Sequence, residues 1–428
     1  MIGTLLKVDK LKQSNYVKSI FTLSAGTLLA QAVGVLIAPI ITRLYTAEQL
    51  GIYTLVLTIV SIFSPIINGR YDMSIVTANN EKEANAVTVV AITLGIFLTL
   101  VVCIGVLVCV LYKPSMFYNM RHVIWWVFPI LAVSGLTNVF TSYNNRHRQY
   151  KLISSVSVIR AIAQAVGQIV VGILKLGVGG LLLTQFISSC LGVRKQARYA
   201  MNNFKQLLSI KRSDKLYILK KYKNQLVYST PALLLNSLSY SILNYIINEL
   251  YGVKEVGYYS LSFRMLGLPI ALISANVARA FFEKATSERR EKGNFYNSYK
   301  QTLKILSIVS LPIFTFLIIF SEKLFEIIFG TGWGRAGLFV AILSPMFAIR
   351  FIVTALSLSL VIGDKQKYEA SIQSVFLVIS LTTYIISKKY NMSIEYFLFI
   401  LSGLFFANYL FMLLITLKVS KEQVNISQ

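Results

Sequence analysis

The sequence predicts an all-α integral membrane protein, with about twelve transmembrane helices in two parallel six-helix halves around a central cavity. Three observations predict this fold. The 428-residue chain is 55% hydrophobic and only 14% charged, whereas soluble proteins carry about 25% charged residues. Apolar runs recur evenly along the chain and leave no stretch for a soluble domain. A sixteen-residue phrase from the first half returns in the second half, 206 positions later.

Apolar runs define the predicted spans, because a helix needs about 20 apolar residues to cross the hydrocarbon core. Twelve such runs are found, at residues 19–41, 51–69, 85–111, 123–143, 153–174, 177–193, 226–248, 256–280, 302–321, 336–362, 369–387 and 396–417. The basic segment before the first run has no apolar core of its own. We therefore expect no cleaved signal peptide.

Lysine and arginine are spread unequally over the two predicted sides of the membrane. With a cytoplasmic N-terminus, the cytoplasmic segments hold 28 of the 42 basic residues and the outer loops hold 9. The positive-inside rule then predicts that both termini are cytoplasmic, in the cell inner membrane. Because these loops account for the net charge of +25, we expect no nucleic-acid partner.

The densest basic segment joins the sixth and seventh spans. It predicts three parts: an N-terminal six-helix half (1–193), a basic cytoplasmic linker (194–223) and a C-terminal six-helix half (224–428). The linker is also suited to contact anionic membrane lipids.

The repeated phrase reads IITRLYTAEQLGIYTL at residues 40–55 and IINELYGVKEVGYYSL at residues 246–261, with seven identities. Each copy joins the first two spans of its half. Six spans are an even number, so the halves insert with the same orientation and are expected to enclose a cavity that works by alternating access. Thr46 with Gln49 predicts a capping box at the start of the second span, and Gly252 with Glu255 predicts a weaker one.

Three cations lie well inside predicted spans, away from the span ends: Arg160, Arg264 and Arg350. A cation at the bilayer centre costs about 2.5–3.5 kcal/mol on insertion scales. The chain has only 17 acidic residues, nearly all in loops or at span ends, so paired charges are scarce. Unpaired arginines predict a cationic lumen and an anionic passenger, since the arginine fork binds two phosphate oxygens at once. The alternative is that each arginine reaches the membrane surface or bonds to backbone carbonyls.

Charged residues at two cytoplasmic span ends predict a gate. Arg70 and Asp72 end the second span, and Arg279 and Glu283 end the eighth span, the equivalent place in the other half. The alternative is surface charge that only sets topology. Asp72 is also our candidate for coupling to protons or sodium ions.

The outer turns carry a further charge pattern. Arg43 aligns with Glu249 in the two copies of the phrase, so the charge reverses between them. This reversal predicts that the two turns approach each other at the outer mouth.

Several phrases resemble one known family in their order and spacing: TRLYTAEQLGIYTL, GRYDMSIV followed by EKEANAV, NRHRQYKLIS, FGTGWGRAG, LSPMFAIRFI and IGDKQKY. From residue 22 to residue 367 the chain resembles the Wzx-type flippases of O-antigen and capsular polysaccharide, a polysaccharide-biosynthesis family in the MOP exporter superfamily. The resemblance implies a MOP/MATE-like fold and a flippase that moves polyprenyl-pyrophosphate-linked oligosaccharides outward, for lipopolysaccharide or capsule, by alternating access coupled to an ion gradient. It places the implied cationic site on Arg350 and Arg70.

The implied partners are the lipid-linked oligosaccharide, membrane lipids, a polysaccharide polymerase and glycosyltransferases, and we expect a monomer. A membrane glycan polymerase or ligase is the alternative, but it would need a large outer loop with catalytic groups. A multidrug exporter of the same fold would be expected to place acids in its spans, and a lipid II flippase to have fourteen spans. The outer loops are short, so we expect no enzyme activity. No phosphate-cradling GxxxxGK occurs, so we expect no ATPase domain. We expect no metal, and no cofactor beyond a coupling proton or sodium ion.

Overall fold

The computed structural model describes residues 25–201 and 210–423, and every regular element in these ranges is helical. Ten of the described helices are long and apolar enough to cross a membrane. The basic segment before the first span, the start of that span at residue 19 and residues 202–209 of the predicted linker lie outside the described ranges.

The described helices are numbered here in chain order. They are α1 (Ala25–Leu44), α2 (Ala47–Phe63), α3 (Tyr71–Thr77), α4 (Glu81–Tyr112), α5 (Val127–Arg146), α6 (Tyr150–Ile173), α7 (Gly177–Met201), α8 (Arg212–Lys221), α9 (Thr230–Tyr251), α10 (Val253–Lys292), α11 (Tyr296–Phe329), α12 (Gly334–Leu356), α13 (Leu358–Ile362), α14 (Gln366–Tyr390) and α15 (Ile394–Lys421). Short one-turn helices occur at Pro114–Phe117, Tyr118–Met120, Ile124–Trp126 and Thr331–Trp333.

Each of the twelve predicted spans corresponds to one of these helices. The two predicted spans that are not among the ten long apolar helices are α2, an apolar helix of 17 residues, and α7, a helix of 25 residues. The prediction of an all-α membrane fold with about twelve spans is therefore confirmed.

Packing divides the described residues into two compact units. The first contains the described residues up to Tyr45 and Leu55–Leu234, and the second contains Thr46–Thr54 and the described residues from Leu235 onward. The first turns of α2 therefore belong to the second unit. The predicted halves and linker rest on topology and stay a prediction.

The sequence repeat is also a repeat of helix boundaries. The second helix of the first copy is Ala47–Phe63, and the regular α-helical part of α10 is Val253–Pro269, at the same offset of 206 positions. Both copies leave α-helical geometry at the next residue. Turns follow in the first copy at residues 64–70, and a π-helical segment, Ile270–Ser274, follows in the second. Pro65 and Pro269 lie at these breaks, as expected of residues that cannot donate a backbone hydrogen bond.

The predicted capping box at α2 is confirmed. The backbone amide of Thr46 donates to Gln49 Oε1 at 3.1 Å, and the amide of Gln49 donates to Thr46 Oγ1 at 3.2 Å. The weaker box predicted at α10 is wrong. The Gly252 amide donates to the Asn248 carbonyl, and the Glu255 carboxylate accepts two bonds from Arg335, at 2.8 and 2.9 Å. An arginine fork competes better for a carboxylate than one backbone amide does.

The first unit packs α3, α4 and α5 around a buried apolar cluster, and α8 joins this cluster through Ile218. Tyr71 of α3 donates its hydroxyl to the Leu219 carbonyl at 3.0 Å. Lys221 donates to the Glu83 carboxylate, and this bond raises the pKa of the Lys221 ammonium because it favours the charged form. The end of the predicted linker is therefore fixed to the first unit.

The second unit is built around α12, the most buried of the long apolar helices. This helix packs against α10, α11 and α15. Buried hydroxyls tie it to its neighbours: Ser262 of α10 donates to the Ala336 carbonyl at 2.7 Å, and Ser274 donates to the Phe351 carbonyl at 2.6 Å. Because α12 is held on several sides, the backbone from which its side chains project has a fixed position.

Candidate functional site

Arg350 of α12 sits in a box of aromatic rings inside the second unit. Its Cζ atom lies 5.1 Å from the ring centroid of Tyr240, 5.4 Å from that of Phe263 and 5.2 Å from that of Phe347. Such distances allow cation–π attraction at each ring. No described carboxylate lies within 4.0 Å of its guanidinium, and no described side chain forms a hydrogen bond with it. The charge is therefore held in place without being neutralised.

A second layer of rings supports this box. The Tyr240 and Tyr409 hydroxyls lie 3.4 Å apart. Phe376 packs on both tyrosines, with centroid distances of 5.7 and 4.7 Å. Phe263 and Phe347 meet edge to face at 5.1 Å. Aromatic pairs in these arrangements add to the free energy of packing. The guanidinium is therefore surrounded by rings from five helices, α9, α10, α12, α14 and α15.

Arg264 is the next residue after Phe263, on α10. Its side chain is exposed and interacts with Tyr53, which belongs to the same unit. The structure thus places two of the three predicted intramembrane arginines in the second unit, on the adjacent helices α10 and α12.

Arg160 of α6 lies in the first unit. It donates one hydrogen bond to the buried Ser189 Oγ of α7, at 3.1 Å. Its aliphatic stem crosses Gly192, where an added Cβ atom would collide with it. Ser189 is neutral, so this hydrogen bond leaves the positive charge of Arg160 uncompensated.

Arg70 and Asp72 lie in the first unit, at the junction of the turns that follow α2 and the start of α3. Gly69 and Arg70 both have left-handed backbone, with φ of 57° and 64°, which is strained for a residue with a side chain. Arg70 Nε and Asp72 Oδ1 are buried and have no hydrogen-bond partner among the described residues. A strained turn with unsatisfied polar atoms is typical of functional sites.

Arg146 of α5 fixes the other end of α3, which the sequence did not reveal. Its Nη1 atom donates to the carbonyl groups of Ile75, Val76 and Ala78, at 3.1, 3.3 and 2.7 Å. Its Nε atom donates to Glu81 Oε1 at 3.0 Å. The helix that begins beside Asp72 is therefore capped by a cation at its C-terminus, where cations are stabilised.

The candidate gate residues of the eighth span are on the surface. Arg279 and Glu283 are both exposed on α10, and Glu283 has no ion-pair partner among the described residues. Of the candidates at the outer turns, Arg43 is exposed in the first unit. Within the second unit, Glu249 accepts bonds from Lys388 Nζ at 2.8 Å and from the Tyr384 hydroxyl at 2.7 Å. Their gating roles stay predictions.

Sequence reasoning missed the aromatic box because aromatic residues make up 12% of the chain and no spacing singles out those around Arg350. It missed Arg146 because that residue lies in a basic turn, where surface charge is the usual explanation. The available signal was the phrase NRHRQYKLIS, which contains Arg146.

A family model described as "Polysaccharide biosynthesis protein" matches residues 40–337, which is more than half of the chain. The chain belongs to the polysaccharide biosynthesis protein family. The family match includes Arg70, Arg160 and Arg264 and ends before Arg350. No relative among the curated proteins matches the sequence.

Solved structures share the fold of this family member. A lipid II flippase, MurJ, in an inward closed conformation has a TM-score of 0.70 at 13% identity, with 94% of this chain and 90% of that chain covered. An inward-facing multidrug resistance MATE transporter of the MOP superfamily has a TM-score of 0.59 at 15% identity, with 94% and 96% covered. A MOP superfamily transporter from Pyrococcus furiosus, reported for the reverse polarity of its binding pocket, has a TM-score of 0.58 at 16% identity, with 95% and 97% covered. This family member is thus a multi-pass membrane protein with the fold of MOP superfamily transporters.

Proposed function

We propose that the protein is a flippase for polyprenyl-pyrophosphate-linked oligosaccharides. One observation carries the proposal: Arg350 is an un-neutralised guanidinium, fixed by three aromatic rings within apolar helices. A membrane protein retains such a charge where an anion must bind. Pyrophosphate offers the oxygens that an arginine fork binds in pairs.

Two of the comparisons support this substrate class. The family description refers to polysaccharide biosynthesis, and a similar structure is that of a lipid II flippase, whose substrate is lipid-linked. The similar structures bear the names of transporters and flippases, which supports translocation without covalent chemistry. We place the protein in the cytoplasmic membrane with both termini inside. In this position it would receive its substrate from glycosyltransferases and deliver it to a polymerase.

We propose that transport proceeds by alternating access and is driven by a proton or sodium gradient. Asp72 is the proposed coupling group, because it is buried and has an unpartnered carboxylate oxygen close to Arg70. Protonation or cation binding would change the charge of this site from a pair to a lone cation. Arg160 and Arg264 complete the proposed set of substrate-binding cations.

The test is translocation of a fluorescent lipid-linked oligosaccharide in proteoliposomes, with Arg350→Ala and Arg350→Lys at matched protein levels. Loss of a charge-assisted contact of about 1.5–3 kcal/mol predicts a decrease of at least roughly tenfold for the alanine variant. The lysine variant keeps the charge but not the fork and should be intermediate. Arg290→Gln, which removes an exposed cation from α10, is the matched control and should transport normally.

Full transport by Arg350→Ala would contradict the proposal. Covalent lengthening or transfer of the glycan by the wild type would favour the polymerase or ligase alternative. Export of organic cations without transport of the lipid-linked substrate would favour the multidrug exporter.

A further inference from the structure

The end of α4 leaves the packed part of the first unit. Buried residues occur along this helix only as far as Thr99, and none is buried from Leu100 to Tyr112. An added Cβ atom at Gly105 would meet no atom within 4 Å. The last turns of α4 are therefore apolar on every side and only partly covered by the described protein.

A groove of about 300 Å³ lies between these turns and the start of α5. Its walls are mainly aliphatic and aromatic, including Val106 and Leu107 of α4 and Phe128 of α5. An apolar groove within the hydrocarbon layer is not expected to hold water, since water would find no hydrogen-bond partner there. A hydrocarbon chain fits this lining.

One cation stands among the groove's lining residues. Arg121 is exposed, and its guanidinium forms no ion pair or hydrogen bond with the described residues. The exposed aromatic residues Tyr112, Tyr118 and Trp125 occur at the same end of the helix. Tyrosine and tryptophan gather at the level of lipid headgroups, so Arg121 lies where a lipid phosphate would be found.

We propose that this groove binds one acyl chain of an anionic phospholipid, with the lipid phosphate on Arg121. The apolar walls select the chain, and the unpartnered guanidinium selects a headgroup of negative net charge. The site belongs to the first unit alone and is independent of the transported substrate. It would hold the otherwise uncovered end of α4 beside α5.

Trp125 lines the groove and reports on its occupant. The chain has three tryptophans, so Trp126→Phe with Trp333→Phe leaves Trp125 as the only one. This full-length protein is placed in nanodiscs with brominated phosphatidylglycerol or brominated phosphatidylcholine, and quenching is measured. We expect roughly fivefold preferential quenching by the anionic lipid, the effect of about one arginine near the surface.

Variants distinguish a specific lipid-binding site from general electrostatic attraction of anionic lipids to the protein. Arg121→Gln should abolish the headgroup preference and Arg121→Lys should keep most of it, while Val106→Phe should reduce quenching by both lipids by filling the groove. Lys113→Gln is the matched control, because it removes an exposed cation at the same helix end that does not line the groove.

Equal quenching by the two brominated lipids in the protein that keeps Arg121 would overturn the proposal. A loss of lipid preference in Lys113→Gln as large as that in Arg121→Gln would overturn it too. Relief of quenching by a polyprenyl phosphate at a lower mole fraction than by phosphatidylglycerol would also overturn it, and would assign the groove to the substrate's lipid carrier. Transport by the Arg350 variants is not involved in any of these outcomes.

Discussion

Gly51 of α2 lies directly on the carbonyl oxygen of Val253, the first residue of α10. The equivalent pair makes the same contact: Gly257 lies on the carbonyl oxygen of Ala47. A Cβ atom at either glycine would collide with the facing backbone. The two copies of the repeated phrase therefore touch through a pair of contacts related by the offset of 206. Backbones this close allow Cα–H···O contacts between the helices.

Replacing either glycine by alanine should push these helix ends apart. We expect Gly51→Ala and Gly257→Ala each to lower the free energy of unfolding by about 1–3 kcal/mol, the usual cost of overpacking. Thermal unfolding in detergent measures the change. Gly267→Ala on α10 is the control, since a Cβ atom there meets nothing within 4 Å. Equal thermal stability of Gly257→Ala and Gly267→Ala would show that the contact contributes nothing.

Removing Arg146 should loosen the C-terminal end of α3. Arg146→Gln loses the charge that caps three carbonyl groups and pairs with Glu81. We expect faster amide hydrogen exchange in α3 and a loss of about 1–3 kcal/mol of stability. Lys151→Gln, at an exposed position on α6, should leave exchange unchanged. Unchanged hydrogen exchange in Arg146→Gln as well would show that Arg146 does not hold α3 in place.

Neutralising Asp72 should uncouple transport from its driving ion. Asp72→Asn replaces the buried carboxylate with an amide, which takes up neither a proton nor a cation. An imposed pH or sodium gradient should therefore cease to accelerate translocation. Equilibration of substrate without a gradient should continue. Proteoliposomes with defined gradients give this measurement, with Glu48→Gln at an exposed position of α2 as control. Gradient-driven transport by Asp72→Asn would show that another residue couples transport to the ion gradient.

Arg335 should stabilise the second unit more than an ordinary surface cation does. Its Nε atom bonds to Glu255 at 2.8 Å and its Nη2 atom to Glu395 at 3.1 Å, and the Glu255 side chain is only 15% exposed. We expect Arg335→Gln to cost about 1–2 kcal/mol, above the 0–1 kcal/mol typical of exposed pairs. The effect should decrease as salt is added. Thermal unfolding at two salt concentrations, with Lys389→Gln as control, tests this; equal costs for both variants would refute it.

The spans were predictable because each is a long apolar run, and a single such run can satisfy its backbone hydrogen bonds in lipid only as a helix. The end of α2 at Phe63 is not predictable in this way, and the predicted second span extends to residue 69. Residues 64–69 carry no charged side chain, and hydropathy does not detect a backbone that turns left-handed at Gly69 and Arg70. The capping box at Thr46 was predictable, because it depends on three consecutive peptide units and two side chains.

The sequence by itself determined the number and nature of the helices, the repeat, and the arginines that apolar spans do not neutralise. These are properties of short segments, governed by transfer of side chains between water and lipid. Only the tertiary structure decided what surrounds Arg350, what caps α3 and which partner Glu255 takes. Each of these depends on side chains brought together from distant parts of the chain, and hydropathy does not record which faces of two helices will meet. The same limit applies to the repeated phrase: the sequence displayed both copies, and packing decided that Gly51 and Gly257 are the residues through which they touch.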